Sequence, residues 1–502
     1  MALLGAQLVI TLIMVSVIQK LSPHFSLARW ILCSTGLTRY LHPTDDELRK
    51  LSGVPREKNK SKKDKRNGHV EQEKTTTTFH VPRSLDIELE TTNISPFDIV
   101  HLRYYTEYQW LVDFSLYAAI VYSLSEAYHF FFPLKEEFNL SMVWCLLVVF
   151  FAFKLLASLT IQYFQSEESI GERSTCIVTG LVYLLIAMMI LIVPETTLEV
   201  GLDRAYTSFN ESASNFLEAQ GLNSSGPASN IVVKFFIAVS CGILGALFTF
   251  PGLRMARMHW DSLKFCQDRV WLKFILNLSF AMPFLLVLLW IKPLTRDYLT
   301  VRVFSGMSAP ILSAEAFETI RLGAVVFAVL LRFMLMPIYL QAYLNLAYQR
   351  VEDQKKEAGR ITNVDLQKKI SSIFYYLCVV TLQYVAPILM CLFFTLMYKT
   401  LGDYTWTGYL KEALPLDECS VEEEAVQQTV AAATSGTETA EEDEGNILST
   451  AQTIQLSLQS LKAVFTKDVY RGLFGFATWW SCFIWFAATS LGMVYQSYFT
   501  KS

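Results

Sequence analysis

The chain has 502 residues, of which 52% are apolar and only 18% charged, with a net charge of −4 and a mean hydropathy of +0.33. Soluble proteins carry about 25% charged residues, so a soluble globular class is excluded, and the nearly balanced charge gives no electrostatic footprint for a nucleic-acid partner. Nine cysteines, most of them in apolar runs, do not form the paired pattern of a disulfide framework.

A membrane helix needs about 20 apolar residues to cross a core of roughly 30 Å. Nine stretches reach that length: 2–19, 110–132, 142–164, 174–194, 231–250, 271–291, 320–341, 371–397 and 472–493. The expected fold class is therefore an all-α integral membrane protein, a polytopic bundle of about nine transmembrane helices. Its divisions are a first helix (1–19), a loop (20–109), helices two to eight (110–397), a second loop (398–470), and a last helix with a short tail (471–502).

Taken in chain order, the first stretch lacks a basic residue ahead of it and a small-residue cleavage pattern, and Lys20 follows it. It reads as a retained helix rather than a signal peptide. The 20–109 loop is basic and partly disordered. It has twelve Lys and Arg between Lys20 and Arg66, and 55–78 is too poor in apolar residues to fold. A solvated tether and an electrostatic contact with anionic lipid are both open for that segment.

Span two contains Asp113 and Glu126, span three Lys154, and span seven Arg332, with Arg321 at its outer edge. Ionisable residues in lipid are costly and mark pairs or pathways. Asp113 and Glu126 are thirteen residues apart, hence about 140° apart around a helix and about 20 Å apart in height. They do not form one carboxylate dyad. Tyr117, Tyr122, Tyr128 and His129 stand by as hydrogen-bonding groups. In one reading the two acids compensate Lys154 and Arg332 and hold the bundle together. In the other, the same groups line a hydrated route for an ion or proton.

Span five repeats small residues at Ala238, Gly242 and Ala246, a face suited to close helix packing. Spans six, seven and eight contain Pro283, Pro337 and Pro387, each expected to kink its helix. The outer loop at 398–470 is acidic and partly disordered over 412–444. It ends in an apolar stripe at Ile447, Ala451, Ile454, Leu458, Leu461 and Phe465, the spacing of an amphipathic helix lying on the membrane surface.

Loop Lys and Arg set orientation. The connections after spans one, five and seven are basic, the last two through Arg254, Arg257, Lys264 and Arg269 and through Arg350, Lys355, Lys356, Arg360, Lys368 and Lys369. Glycosylation sequons at Asn139, Asn210 and Asn223 lie on the opposite connections, whereas those at Asn93 and Asn277 fall where no glycan is expected. Lys292, Arg296 and Arg302 on loop six argue mildly the other way. The balance places the N-terminus outside or lumenal and the C-terminus cytoplasmic. The compartment stays open between plasma membrane and endoplasmic reticulum.

Catalytic signatures are absent: no H-E-x-x-H, G-x-S-x-G, Walker-type loop or C-x-x-C occurs, and the seven histidines are scattered. No enzyme activity, cofactor or metal is expected. The strings LSPHFSLARWILC, HPTDDEL, EYQWLVDF, GERS, TFPGLR, LQAYLNLA, EAGRI and LQYVAP run in this order along the chain. Together they resemble the transmembrane protein 161 family. LQAYLNLA and YYLCVVTLQYVAP are more similar to its B branch. The resemblance implies a glycosylated multi-pass protein with no catalytic residues to carry over. It also implies association with calcium and potassium currents in excitable cells, and in one branch with protection from oxidative stress. The expected partners are the lipid bilayer and an ion channel or calcium pump. The leading expectation is a membrane regulator of ion handling, with a transporter or channel in its own right as the alternative.

Overall fold

Backbone polar groups in lipid must be satisfied within their own segment, and apolar sequence here becomes helix. The structure, a computed structural model, describes residues 6–53, 78–131, 139–165, 170–219, 229–266, 268–306, 309–357, 359–406 and 464–499. The helices are α1 (Ala6–Leu21), α2 (Leu27–Cys33), α3 (Asp45–Ser52), α4 (Pro96–Ile99), α5 (Tyr105–Phe131), α6 (Ser141–Gln165), α7 (Ile170–Ile190), α8 (Leu202–Ala219), α9 (Asn230–Phe265), α10 (Val270–Leu288), α11 (Ala314–Leu344), α12 (Leu346–Lys356), α13 (Asn363–Tyr375), α14 (Leu377–Leu401) and α15 (Lys467–Phe499).

Eight of the nine expected stretches fall mainly on one helix each, and 371–397 straddles the junction of α13 and α14 at Tyr376. Among the described residues, seven helical stretches are long and apolar enough to cross a membrane: 141–165, 173–190, 230–265, 270–288, 314–356, 363–401 and 467–498. The other two expected spans differ for separate reasons. Helix α1 has only 16 described residues. Helix α5 has 27, but its tyrosines, Asp113 and Glu126 dilute its apolar character.

Helix α14 runs through the middle of the bundle, with nearly every side chain from Leu377 to Met397 buried. It packs on α6, α15 and α11, while α9 is gripped between α7 and α15. Two glycines make the α9 contacts close. A Cβ at Gly245 would overlap the Tyr183 ring of α7, and one at Gly252 would overlap Ala488 of α15. The small-residue face of span five is used in the same way, with Gly242 against Leu184 and Ala246 against Gly180. The prolines do not end their helices. Pro283, Pro337 and Pro387 lie inside continuous helices, as does Pro251. The helix boundaries fall instead at Asn345 and Tyr376.

The chain is not purely helical. Strand β1 (Thr38–Tyr40) pairs antiparallel with β3 (Thr91–Asn93), and β2 (His80–Pro82) pairs with β4 (Arg360–Thr362). These ribbons join the 26–104 region to the α12–α13 region as one cap. Gln341, near the end of α11, accepts from the Thr38 amide (3.0 Å) and donates to its hydroxyl (3.1 Å) and to Asn345 (2.9 Å). Asn363 accepts from the Phe79 amide (3.1 Å) and donates to Asp45 (2.9 Å).

The cap sits at the end of the bundle that also holds the end of α6 and the starts of α7 and α14. The opposite end gathers α8, the 291–313 connection and the junction of α14 with α15, where Ser208 meets Thr466 (2.6 Å). The basic run 56–66, the acidic segment 412–444, Asn223 and nearly all of the expected surface helix over 447–465 lie outside the described residues. From that helix Phe465 is described, with its ring near Phe209 and Tyr470.

Candidate functional site

The four intramembrane candidates do not come together. Asp113 is buried and accepts from the Ser26 hydroxyl (2.6 Å) and the Ala28 amide (3.0 Å). An anion there satisfies the open amides at the start of α2, so Asp113 ties the cap to α5 and counters no cation. Glu126 forms an ion pair with Lys399 of α14 and accepts from the Thr400 hydroxyl (3.0 Å). Thr400 in turn meets the Tyr122 hydroxyl (3.2 Å). Lys154 is exposed on a lateral groove beside Phe150, Phe153 and Gln162. The expected compensation of Lys154 and Arg332 by the two acids is therefore not what the structure shows.

Arg332 is 1% exposed, and none of its three guanidinium nitrogens has a hydrogen-bond partner among the described residues. Trp485 (5.1 Å), Phe280 (5.9 Å) and Tyr339 (6.0 Å) surround the group with ring faces, an attraction that partly offsets lost hydration. The Tyr384 hydroxyl donates to its carbonyl (2.7 Å). A void of about 10 Å³ adjoins it, lined also by Gln383, Pro387 and Trp485. That is room for about one water molecule.

Arg321 belongs to a second charged group that the sequence flagged only at its edge. It pairs with Glu318 one turn away, lies 3.6 Å from Glu199, and donates to the Tyr398 hydroxyl (2.8 Å). Arg296 pairs with Glu199 and lies 3.7 Å from Glu318. Two acids and two arginines from three segments thus form a neutral network, with Trp290 beneath Arg321 at 4.7 Å. Lys399 was missed because span eight was ended at 397. Glu199 and Arg296 were missed because nothing in their local sequence announces a partner roughly a hundred residues away, whereas the i,i+3 spacing of Glu318 and Arg321 was a readable signal.

A larger space opens at the cap end. A cavity of about 1360 Å³ lies between α6, α7, α9, α14 and α15, with Arg103, Arg254, Arg257 and Arg350 in its walls. Among the described residues no three His, Cys, Asp or Glu side chains gather as metal ligands. The eight described cysteines are free thiols.

Asn139 caps the start of α6, accepting from the Ser141 amide (3.1 Å). Asn210 is half-buried on α8. A family model described as "Predicted transmembrane protein 161AB" matches residues 2–500. No solved structure matches the chain.

Proposed function

Because the chain belongs to the predicted transmembrane protein 161AB family, whose description stops at membrane residence, we propose that it is a non-enzymatic regulator of cellular ion handling. On this reading it acts on calcium or potassium movement through contact with a channel or pump. The ion-handling part rests on the family resemblance, and LQAYLNLA and YYLCVVTLQYVAP support placement in the B branch. The part against conduction rests on one observation. Three of the four intramembrane charges do not line a route: Asp113 caps a helix, Glu126 is held by Lys399, and Lys154 faces outward.

The same proposal keeps nine spans, with the N-terminus outside or lumenal and the C-terminus cytoplasmic. Helix α5 supports this, because it runs from the cap end at Tyr105 to the far end, where Glu126 meets α14. It traverses the same depth as its neighbours α6 and α14.

Purified full-length protein in liposomes tests the reading, with calcium, potassium and proton flux measured beside a Glu126→Gln variant. The expected result is flux no greater than in protein-free liposomes. Flux that is robust in the wild type and lost in the variant would make the chain a conductor and overturn the regulator reading. The conductor remains the second reading because Arg332 is buried and none of its nitrogens has a partner among the described residues.

A further inference from the structure

We propose that the arginine-walled cavity at the cap end is a binding site for a phosphate-bearing anion with an apolar attachment, the chemistry of an acidic phospholipid headgroup. The inference is independent of whether the chain regulates or conducts. Four guanidinium groups come from separate parts of the fold: Arg103 ahead of α5, Arg254 and Arg257 on α9, and Arg350 on α12. Arg254, Arg257 and Arg350 line this cavity together with Tyr343. One carboxylate, Asp261, shares the lining, and it sits 4.0 Å from both Arg257 and Lys264. The walls are therefore strongly positive in balance.

Basic loops at one membrane face are ordinary; of these four arginines Arg103 and Arg254 are half-buried and Arg257 and Arg350 are exposed at the mouth. Here the guanidinium groups line a concavity of about 1360 Å³, which exceeds the volume of most small-molecule pockets. Guanidinium forks match phosphate oxygens bidentately, and basic pockets between membrane helices suit anionic headgroups. The remaining walls are mixed, with apolar side chains from Phe250, Leu253 and Val494 beside polar ones such as Gln162 and Gln496, and the apolar part fits an acyl chain or glycerol better than a free ion.

Gln383, which lines both this cavity and the void beside Arg332, adds a second observation. It is 3% exposed and lines the cavity, yet its side-chain oxygen has no hydrogen-bond partner among the described residues. Its nitrogen reaches the Tyr163 hydroxyl only at 3.4 Å. A buried amide left this way costs free energy unless something completes it. A ligand hydroxyl or bound water entering from the cavity would do so.

The test uses the full-length protein in detergent micelles and reads thermal stability. The probes are dioctanoyl phosphatidylinositol 4,5-bisphosphate, inositol 1,4,5-trisphosphate and dioctanoyl phosphatidylcholine. Ligand binding to the folded state raises the midpoint in proportion to the logarithm of concentration over Kd. We expect the bisphosphorylated lipid to raise it and phosphatidylcholine to leave it unchanged. The Arg254→Gln/Arg350→Gln variant should bind the lipid at least ten-fold more weakly. A Lys292→Gln variant, at the opposite end of the bundle, should bind as the wild type does.

Stabilisation by inositol trisphosphate at equal concentration would identify a soluble phosphate ester as the ligand, and stabilisation by the lipid alone a headgroup in its membrane. Equal binding by the double variant, or no binding of either phosphate probe, would overturn the proposal. Should the double variant fold poorly, a photoactivatable analogue of the same lipid answers on the wild type. Adducts are expected in the lining segments, 159–163, 171–175, 250–261, 343–350, 372–383 or 491–498, and labelling confined to other segments would sink the site.

Discussion

At the depth where Glu126 meets Lys399, each ion alone would face a large desolvation cost, and together they offset much of it. Lys399 also has the Trp406 ring 5.9 Å from its ammonium. Removing one partner strands the other. Glu126→Leu or Lys399→Met is expected to destabilise the full chain by ~3–5 kcal/mol, whereas the double change should recover most of that loss. Thermal unfolding of the four proteins in one detergent forms the cycle. Single variants as stable as the wild type would show that the pair is solvated and contributes little. The sequence made Glu126 visible because an acid stands out in an apolar run. Its partner was hidden by a boundary drawn two residues early, since α14 continues to Leu401 and a lysine stem carries its charge toward the membrane edge.

Among the elements, the cap was the least legible. Strands of three residues show no alternation to read, and β2 finds β4 only after some 280 residues. The long helices, by contrast, announce themselves through length and apolar content, although several run beyond the apolar stretch, α9 by fifteen residues past 250 to Phe265. Proline does not end these helices: α11 and α14 continue past Pro337 and Pro387, where neighbouring helices surround the freed backbone groups.

The latch at Gln341 joins the two kinds of element, and Gln341→Leu removes donors to Thr38 and Asn345 while keeping the helix. It should cost about 1–3 kcal/mol and lower hydrogen-exchange protection in β1 and β3 before the bundle. Unchanged protection there would mean that β-pairing alone holds the cap.

The cap also carries a pH dependence. Burial alone would raise the Asp98 carboxyl, but bonds from the Ser95 hydroxyl and amide, and Arg39 at 3.0 Å, hold it below the usual carboxylate range. A depressed folded pKa stabilises above the unfolded value and loses that contribution as pH falls through the folded one. Wild-type cap protection should therefore exceed that of Asp98→Asn at neutral pH, and the two should converge below about pH 4. A gap that persists at lower pH would remove Asp98 from the account.

Over the whole molecule, charge and topology follow the same division. Among the described residues, those following the first, fifth and seventh expected spans build the cap and part of the arginine cavity, and those following the fourth and sixth contribute Glu199 and Arg296 to the Arg321 network. Lys and Arg are retained on the cytoplasmic side during insertion, so the cap end should face the cytosol. A physical tension accompanies this assignment, because Arg296 and Lys292 lie at the far end. Arg296 resolves its part by pairing with Glu199, so it adds little free positive charge there.

Two inserted epitopes decide the orientation in cells: one after Gly68 in the basic loop, the other within the acidic 412–444 segment. Selective permeabilisation of the plasma membrane should expose the first. The second should stain either on intact cells or only after full solubilisation, according to compartment. Asn210→Gln with Asn223→Gln should remove a glycosidase-sensitive mass from the chain. Staining of the first epitope on intact cells would reverse the orientation and put the arginine cavity outside or in the lumen. The anionic lipids of the cytoplasmic leaflet would then be out of its reach, which ties the topology experiment to the ligand proposed for the cavity.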